Sequence, residues 1–287
     1  MTISEAGKNL IAALTGIYSQ REAVNITAMA MEKLTGFSKS ERLVHKHLML
    51  DLVQQNQFED FRMQLLQQKP VQYVLNEAWF SGLLFYVDGS VLIPRPETEE
   101  LVETIVQDWA PSHNHNLSVL DIGTGSGCIA VSVKKKLQDA TVYAMDISAD
   151  ALRIAEKNAL TNKADIVLLQ HDILNFQSIE ALPVFDVIVS NPPYILQQES
   201  EEMHTNVLQF EPHLALFVPD KDPLLFYKAI TDFSLQNLKR GKGKLYFEIN
   251  ELMGAAVPEM LTAKGFYDIQ VKKDLQQKNR IVSAGLL

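Results

Sequence analysis

Val119-Leu120-Asp121-Ile122-Gly123-Thr124-Gly125-Ser126-Gly127 decides the fold of this chain. Val119 to Ile122 reads as a strand. The glycines after it let the backbone pass close to a ligand. Cys128 to Leu137 then carries a helical pattern. A second strand, Thr141 to Met145, leads to Asp146, and Ala149 to Leu160 forms the next helix. Ile166 to Leu169 and Phe185 to Ser190 are further strands. A helix from about Leu224 to Leu238 precedes the strand Lys244 to Ile249. Tyr267 to Val271 and Arg280 to Ala284 complete the set. Such alternation implies an α/β fold, a doubly wound and mainly parallel seven-stranded sheet with right-handed crossovers.

The chain before this region reads differently. Residues 1–76 lack the alternating strand pattern and are rich in Leu, Met, Ala, Gln, Glu and Lys, which predicts helices. Ile26, Met29, Ala30 and Leu34 recur at helical spacing, and Gly36 stops that helix. Ser38 with Glu41 resembles a capping box for a helix carrying Val44, Leu48 and Leu52 on one face. Phe58, Phe61 and Leu65 make a further apolar stripe. After Lys69-Pro70, Ala78 to Tyr86 and Ser90 to Ile93 predict a hairpin turning at Val87-Asp88-Gly89. Pro94-Arg95-Pro96 follows, and Pro96 with Glu97, Glu99 and Glu100 suits a first helical turn. The expected organisation is a small N-terminal helical domain over 1–76, a β-hairpin bridge over 77–93 and the α/β domain over 94–287. The helical domain can be a packed bundle or a module that recognises a substrate.

Two places carry chemistry. Asp146 stands where an acid can take both hydroxyls of a ribose. The loop Asp121 to Gly127 has the spacing G-x-G-x-G, not the G-x-G-x-x-G of a dinucleotide site. Together they describe a site for an adenosine-bearing ligand. S-adenosylmethionine fits better than a dinucleotide, because Asp121 can face a cation but would repel a pyrophosphate. Asp172, at the end of the third strand, is placed to accept the adenine amino group, with Ile173 packing on that ring; a simple turn acid reads the same. The second place is Asn191-Pro192-Pro193-Tyr194, directly after a strand. Prolines remove backbone donors and hold the chain extended, so nearby carbonyls stay unpaired. The side-chain oxygen of Asn191 and the carbonyl of Pro192 can then accept both hydrogens of one substrate NH2 group. Tyr194 offers a flat face. A proline turn ending a strand is the alternative.

Composition sets bounds. The chain has 287 residues and 47% hydrophobic content. It shows no transmembrane stretch and no secretory signal. Its single cysteine, Cys128, fits a reducing cytosol, so a cytoplasmic location is expected. A net charge of −9 argues against broad nucleic-acid binding and suits a basic protein partner. His45 and His47 face different ways on a helix, and His113 and His115 lie in a polar loop without a paired acid. No metal site is expected.

These residues together resemble the HemK/PrmC family of N5-glutamine methyltransferases that act on peptide chain release factors. The resemblance covers nearly the whole chain. It rests on Val91 to Glu99, on Asp121 to Gly127, on Asp146, on Asn191 to Tyr194, and on Glu211-Pro212 with Ala215-Leu216. It implies a class I S-adenosylmethionine-dependent methyltransferase fold without a metal, with S-adenosylhomocysteine as product. The cofactor would be held by Asp121, Gly123, Thr124, Gly125, Ser126, Gly127, Asp146, Asp172, Ile173 and Asn191. Asn191 and Pro192 would bind the glutamine amide of a Gly-Gly-Gln motif in class 1 release factors, and Pro193 and Tyr194 would shape that pocket. Asn76 and Gln277 stand where the family usually has glycine. A glutamine methyltransferase for a ribosomal protein, or an adenine-N6 nucleic-acid methyltransferase, would share the tetrapeptide.

Overall fold

The computed structural model describes residues 1–110, 116–178 and 182–287; His113 and His115 lie outside the described residues. In chain order the helices and strands begin with α1 (Ile3–Leu14), α2 (Gln20–Thr35), α3 (Lys39–Val44), α4 (Leu52–Leu66) and α5 (Val71–Leu75). Next come β1 (Ala78–Phe80), β2 (Leu83–Phe85), α6 (Pro96–Trp109), β3 (Ser118–Ile122), α7 (Cys128–Lys136), β4 (Thr141–Asp146), α8 (Ala149–Thr161) and β5 (Ile166–Gln170). Then follow β6 (Val187–Ser190), β7 (Ile195–Leu196), α9 (Thr205–Phe210), α10 (His213–Leu216) and β8 (Phe217–Val218). The last are α11 (Leu225–Asn237), β9 (Lys244–Glu248), α12 (Ala256–Ala263), β10 (Phe266–Lys273) and β11 (Asn279–Leu286).

They divide into two compact units. One comprises Met1–Glu77 with His204–Phe210. Its helices start where side chains satisfy the free backbone donors: Thr2, Ser38 and Asp51 each form a capping box. Leu10, Leu14, Ala23, Ala30, Phe58 and Leu65 meet in its core. Two expected stripes are corrected. The buried face of α2 is Ala23, Ile26, Thr27, Ala30, Met31 and Leu34, and Met29 is largely exposed. The helix begun at Ser38 ends at Val44, and Asp51 opens a new one. Val44, Leu48 and Leu52 therefore sit on different elements, and all three are exposed. The Asp51–Gln54 box competes successfully with continuation of the apolar spacing.

The other unit comprises Ala78–Met203 and Glu211–Leu287. Among the described residues, seven strands form one sheet in the order β10-β11-β9-β6-β3-β4-β5. β9, β6, β3, β4 and β5 are parallel, and β11 runs antiparallel to both β9 and β10. β3 lies near the middle with its last four residues buried, as parallel strands covered on both faces require. The architecture is the expected doubly wound α/β fold.

The hairpin differs from expectation. β1 pairs with β2 through a turn at Ser81-Gly82, with φ of 49° and 75°. Left-handed conformation at both turn residues matches the twist of short hairpins. Val87-Asp88-Gly89 makes no hairpin, and Ser90 to Ile93 is not a strand. Instead the Asp88 side chain accepts from the Ser90 amide and its carbonyl from the Val91 amide. Phe80 and Phe85, edge to face at 6.0 Å, bury the inner face of the short hairpin.

Asn76 and Gln277 both adopt left-handed backbone, with φ of 54° and 67°. This conformation costs a side-chain-bearing residue ~1–2 kcal/mol, less for asparagine. Relief is partly offset by the extra freedom of glycine in the unfolded chain, ~0.5–1 kcal/mol. Gln277→Gly is expected to raise stability by about 0.5–1 kcal/mol, while Asn76→Gly stays near neutral. Urea midpoints of the purified variants check this; equal midpoints for Gln277→Gly and the parent chain would show that the turn carries no strain.

Candidate active site

The parallel strands deliver their carboxyl ends to one edge, and the glycine loop is fastened there. The amides of Gly123 and Thr124 both donate to the Met145 carbonyl of β4, at 2.8 and 2.9 Å. Gly123, Gly125 and Gly127 have φ of 74°, 53° and 79°. A Cβ on Gly127 would meet Ala155 Cβ at 3.1 Å, so glycine there lets α7 and α8 approach. A Cβ on Gly123 or Gly125 would meet nothing within 4 Å. Those two residues border a cavity.

Two carboxyls flank the loop. Asp121 is fully buried beneath it. Its Oδ2 accepts from Thr124 Oγ1 at 2.6 Å and from the Ala130 amide at 3.2 Å, while Oδ1 has no partner among the described residues. Burial pushes this carboxyl up to about 7. Asp146 accepts from the Gly125 amide on Oδ2 and the Ser148 amide on Oδ1, each at 2.9 Å. Burial raises its pKa as well, against those hydrogen bonds. Each Asp146 oxygen keeps a second lone pair for a hydroxyl.

The cavity at this edge has a volume of 240 Å³. Of the residues singled out from the sequence, Gly123, Gly125, Asp146, Asp172, Ile173, Asn191, Pro192 and Pro193 line it. Asp121, Thr124, Ser126, Gly127 and Tyr194 do not. The first four shape the loop from behind, and Tyr194 packs against the apolar cluster of Tyr227, Ile230 and Phe247. Ile122, Met145, Leu214, Phe226 and Ile230 add apolar wall. A second hollow over the acidic face of α6 holds neither the glycine loop nor the proline tetrapeptide.

Asn191 is positioned from three sides. Ser190, ending β6, donates its hydroxyl to the Ile122 carbonyl at 2.7 Å, which ties the ends of β6 and β3 together. Beyond Tyr194, β7 pairs with β8 and holds the exit of the tetrapeptide. Asn191 Nδ2 donates to Thr98 Oγ1 at 3.2 Å, and Thr98 Oγ1 donates to Glu248 Oε2 at 2.6 Å. Thr98 and Glu248 are both buried. Sequence reading missed them as site residues. The available signal was an acid, Glu248, closing the apolar run Leu245-Tyr246-Phe247 at a strand's carboxyl end. Burial pushes the Glu248 carboxyl up to about 7, opposed by the Thr98 hydrogen bond and by Arg280.

Arg95, just before α6, pairs with buried Glu211 at 2.6 Å. Glu211 also accepts from the Ile93 amide at 3.3 Å. Two motifs 116 residues apart in sequence are thereby joined, and Pro212, next to Glu211, reaches the cavity wall.

The chain has known relatives. A family model described as methyltransferase small domain matches residues 97–211. A release factor glutamine methyltransferase of Flavobacterium psychrophilum is 43% identical over 98% of both chains. One of Bacteroides thetaiotaomicron is 41% identical over 94% of this chain and 95% of that protein. Among solved structures, the hMettl16 catalytic domain superposes with a TM-score of 0.55 at 16% identity, covering 82% of each chain; that likeness concerns the fold. This chain belongs to the family of release factor glutamine methyltransferases.

Proposed function

We propose that this protein methylates the side-chain amide nitrogen, N5, of the glutamine in the Gly-Gly-Gln motif of class 1 peptide chain release factors, with S-adenosylmethionine as donor. The observation that carries the chemistry is the juxtaposition of Asn191 and Pro192 with the glycine loop and Asp146 around one cavity. The substrate assignment draws on full-length similarity to release factor glutamine methyltransferases. That similarity favours a release factor over a ribosomal protein or a nucleic acid. A cytoplasmic site of action, where release factors work, and a substrate-recognising role for the helical unit belong to the same proposal.

The residues around the cavity suit the donor. Gly123 and Gly125 leave room above the backbone, Asp146 has lone pairs free for ribose hydroxyls, and Ile173 offers apolar surface beside Asp172 for an adenine ring. Asp121, with one free carboxyl oxygen behind the loop, favours a cationic ligand over an anionic one. When bound, S-adenosylmethionine supplies an electrophilic methyl on a sulfonium.

The protein's own task is to make a poor nucleophile serviceable. An amide nitrogen shares its lone pair with its carbonyl. Asn191 Oδ1 and the Pro192 carbonyl accept its two N–H groups and aim the nitrogen into the cavity; such positioning supplies several kcal/mol. Both acceptors bind more strongly as positive charge builds on nitrogen in the transition state. The apolar wall excludes competing water. The extra proton leaves to solvent after transfer, so no strong base is needed.

The first experiment is transfer of labelled methyl to purified release factor, beside a Gly-Gly-Ala variant, a ribosomal-protein mixture and DNA. Label on the intact factor and none on the variant is expected; label only on ribosomal protein or DNA would overturn the substrate. Asn191→Ala is expected to cut transfer by roughly 10²–10³-fold with cofactor affinity lowered no more than about threefold. Near-normal rates would remove Asn191 from the reaction. Asp146→Ala should weaken cofactor binding in calorimetry by about tenfold or more, the scale of hydrogen bonds to a charged group. Unchanged affinity would show that Asp146 does not hold the ribose.

A further inference from the structure

Asn191 serves as an acceptor only if its amide turns oxygen, not nitrogen, toward the substrate. A primary amide has two ends of almost the same shape, so something must choose between them. We propose that Thr98 and Glu248 are positioning residues that fix the orientation of the Asn191 amide for methyl transfer. The proposal deepens the functional reading above and rests on it.

Hydrogen counting sets the direction of the chain. Ionised Glu248 has no hydrogen to give. Thr98 has one, and gives it to Glu248 Oε2 at 2.6 Å. Thr98 Oγ1 is then left with lone pairs alone, so Asn191 must present Nδ2 to it, at 3.2 Å. Oδ1, the other end of the amide, becomes the end available to the cavity that Asn191 lines. The opposite orientation would set the Asn191 oxygen against the Thr98 lone pairs and would aim an NH2 group at the substrate NH2. Both Thr98 and Glu248 are at most 2% exposed, so water does not compete for these bonds.

The surroundings keep the carboxylate poised. Among the described residues, no cation lies within salt-bridge distance of Glu248. Arg280 is engaged by Asp274 at 3.1 Å, and Arg95 by Glu211 at 2.6 Å. Both arginines favour ionised Glu248 from a distance, and Glu97 opposes them. Tyr194, Tyr227 of α11 and Cys128 of α7 are further titratable groups that feel its charge. The Tyr227 hydroxyl donates to the backbone carbonyl of Glu248 at 3.0 Å and leaves the carboxylate to Thr98. Burial outweighs the arginines, so the group gains a proton near neutrality. A protonated Glu248 can donate to Thr98, which frees the Thr98 hydrogen for Asn191 Oδ1. The amide then loses its enforced direction. Since the ordered form is the ionised one, transfer should slow as pH falls through about 7.

The test uses the full chain, purified release factor and single-turnover transfer of labelled methyl, with cofactor affinity measured in parallel. Thr98→Val is expected to slow transfer by roughly 10–10²-fold, the scale of a misdirected transition-state contact, without weakening cofactor binding. Thr98→Ser, which keeps the hydroxyl, should restore the rate to within about threefold. At saturating cofactor, which removes any contribution of Asp121 through donor binding, the parent protein should show an acid limb near pH 7 that Glu248→Gln abolishes. Normal transfer by Thr98→Val, a Ser variant as slow as the Val variant, or an acid limb unchanged in Glu248→Gln would each overturn the proposal. If Thr98→Val does not fold, the two pH profiles decide it. A parent protein that transfers no methyl at any pH overturns the functional assignment itself, and the proposal with it.

Discussion

A parallel sheet buried on both faces has no place for an unpartnered charge except at the ends of its strands. Every polar task of the α/β unit follows from this. Val187, Ile188 and Val189 of β6 and Leu245, Tyr246 and Phe247 of β9 are all inaccessible to solvent. At the amino ends, Asp186 is buried but satisfied: Lys239 holds both its oxygens at 2.8 and 2.7 Å, and the Ser118 amide adds a third bond. A buried acid with its own cation is a structural fastener. At the carboxyl ends, Asp121 and Glu248 are equally buried and, among the described residues, have no cation on them. Both sit near neutrality in consequence. These acids without a cation lie at the edge of the proposed site, and β6, which lies between β9 and β3, has a paired acid at the other edge.

The hairpin and the loop after it find their purpose at the same edge. Asn158 of α8 is fully buried. Its Oδ1 accepts from the Tyr86 amide at 2.6 Å, and its Nδ2 donates to the carbonyls of Tyr86 at 2.9 Å and Ser126 at 2.8 Å. One side chain thus fixes the exit of the hairpin against the glycine loop. Further on, Ile93 and Arg95 grip Glu211. The stretch between the hairpin and α6 is extended and irregular, yet pinned at both ends, and Ser90, Val91 and Leu92 between those pins form part of the cavity wall.

Much of this was legible in the sequence, for identifiable reasons. The strands of the sheet follow from apolar runs between turn residues, and the glycine loop, Asp146 and Asn191 follow from their places just past strand ends. All the strands expected in the sheet are present within a few residues of their expected bounds. The errors arose where local signals competed. Ser81-Gly82 and Val87-Asp88-Gly89 are both turn sequences, and only the burial of Phe80 and Phe85 selects the first. Val44, Leu48 and Leu52 have helical spacing, but the Asp51 cap divides them. The Thr98–Glu248 pair is of another kind. Its partners are 150 residues apart in sequence, and each has an innocent local reading, a first-turn threonine and a strand-end acid. Long-range hydrogen bonds leave no periodic trace.

That pair also bears on how an amide can be alkylated without a general base. Glu248 is two hydrogen bonds from the cavity, too far to take a proton from the substrate. In the mechanism proposed, its charge would still reach the reaction. An ionised carboxylate polarises the Thr98 hydroxyl, which makes Oγ1 a better acceptor for Asn191 Nδ2. Withdrawal of that hydrogen leaves more negative charge on Asn191 Oδ1. Such cooperative strengthening is about 10–30% per bond in condensed phase, modest per link, but it grows in value as positive charge appears on the substrate nitrogen. A carboxylate placed directly against the amide would need its own desolvation and would compete as a methyl acceptor. Set behind Thr98 and Asn191, in the reaction proposed it would lend its field to the transition state and stay out of reach of the electrophile.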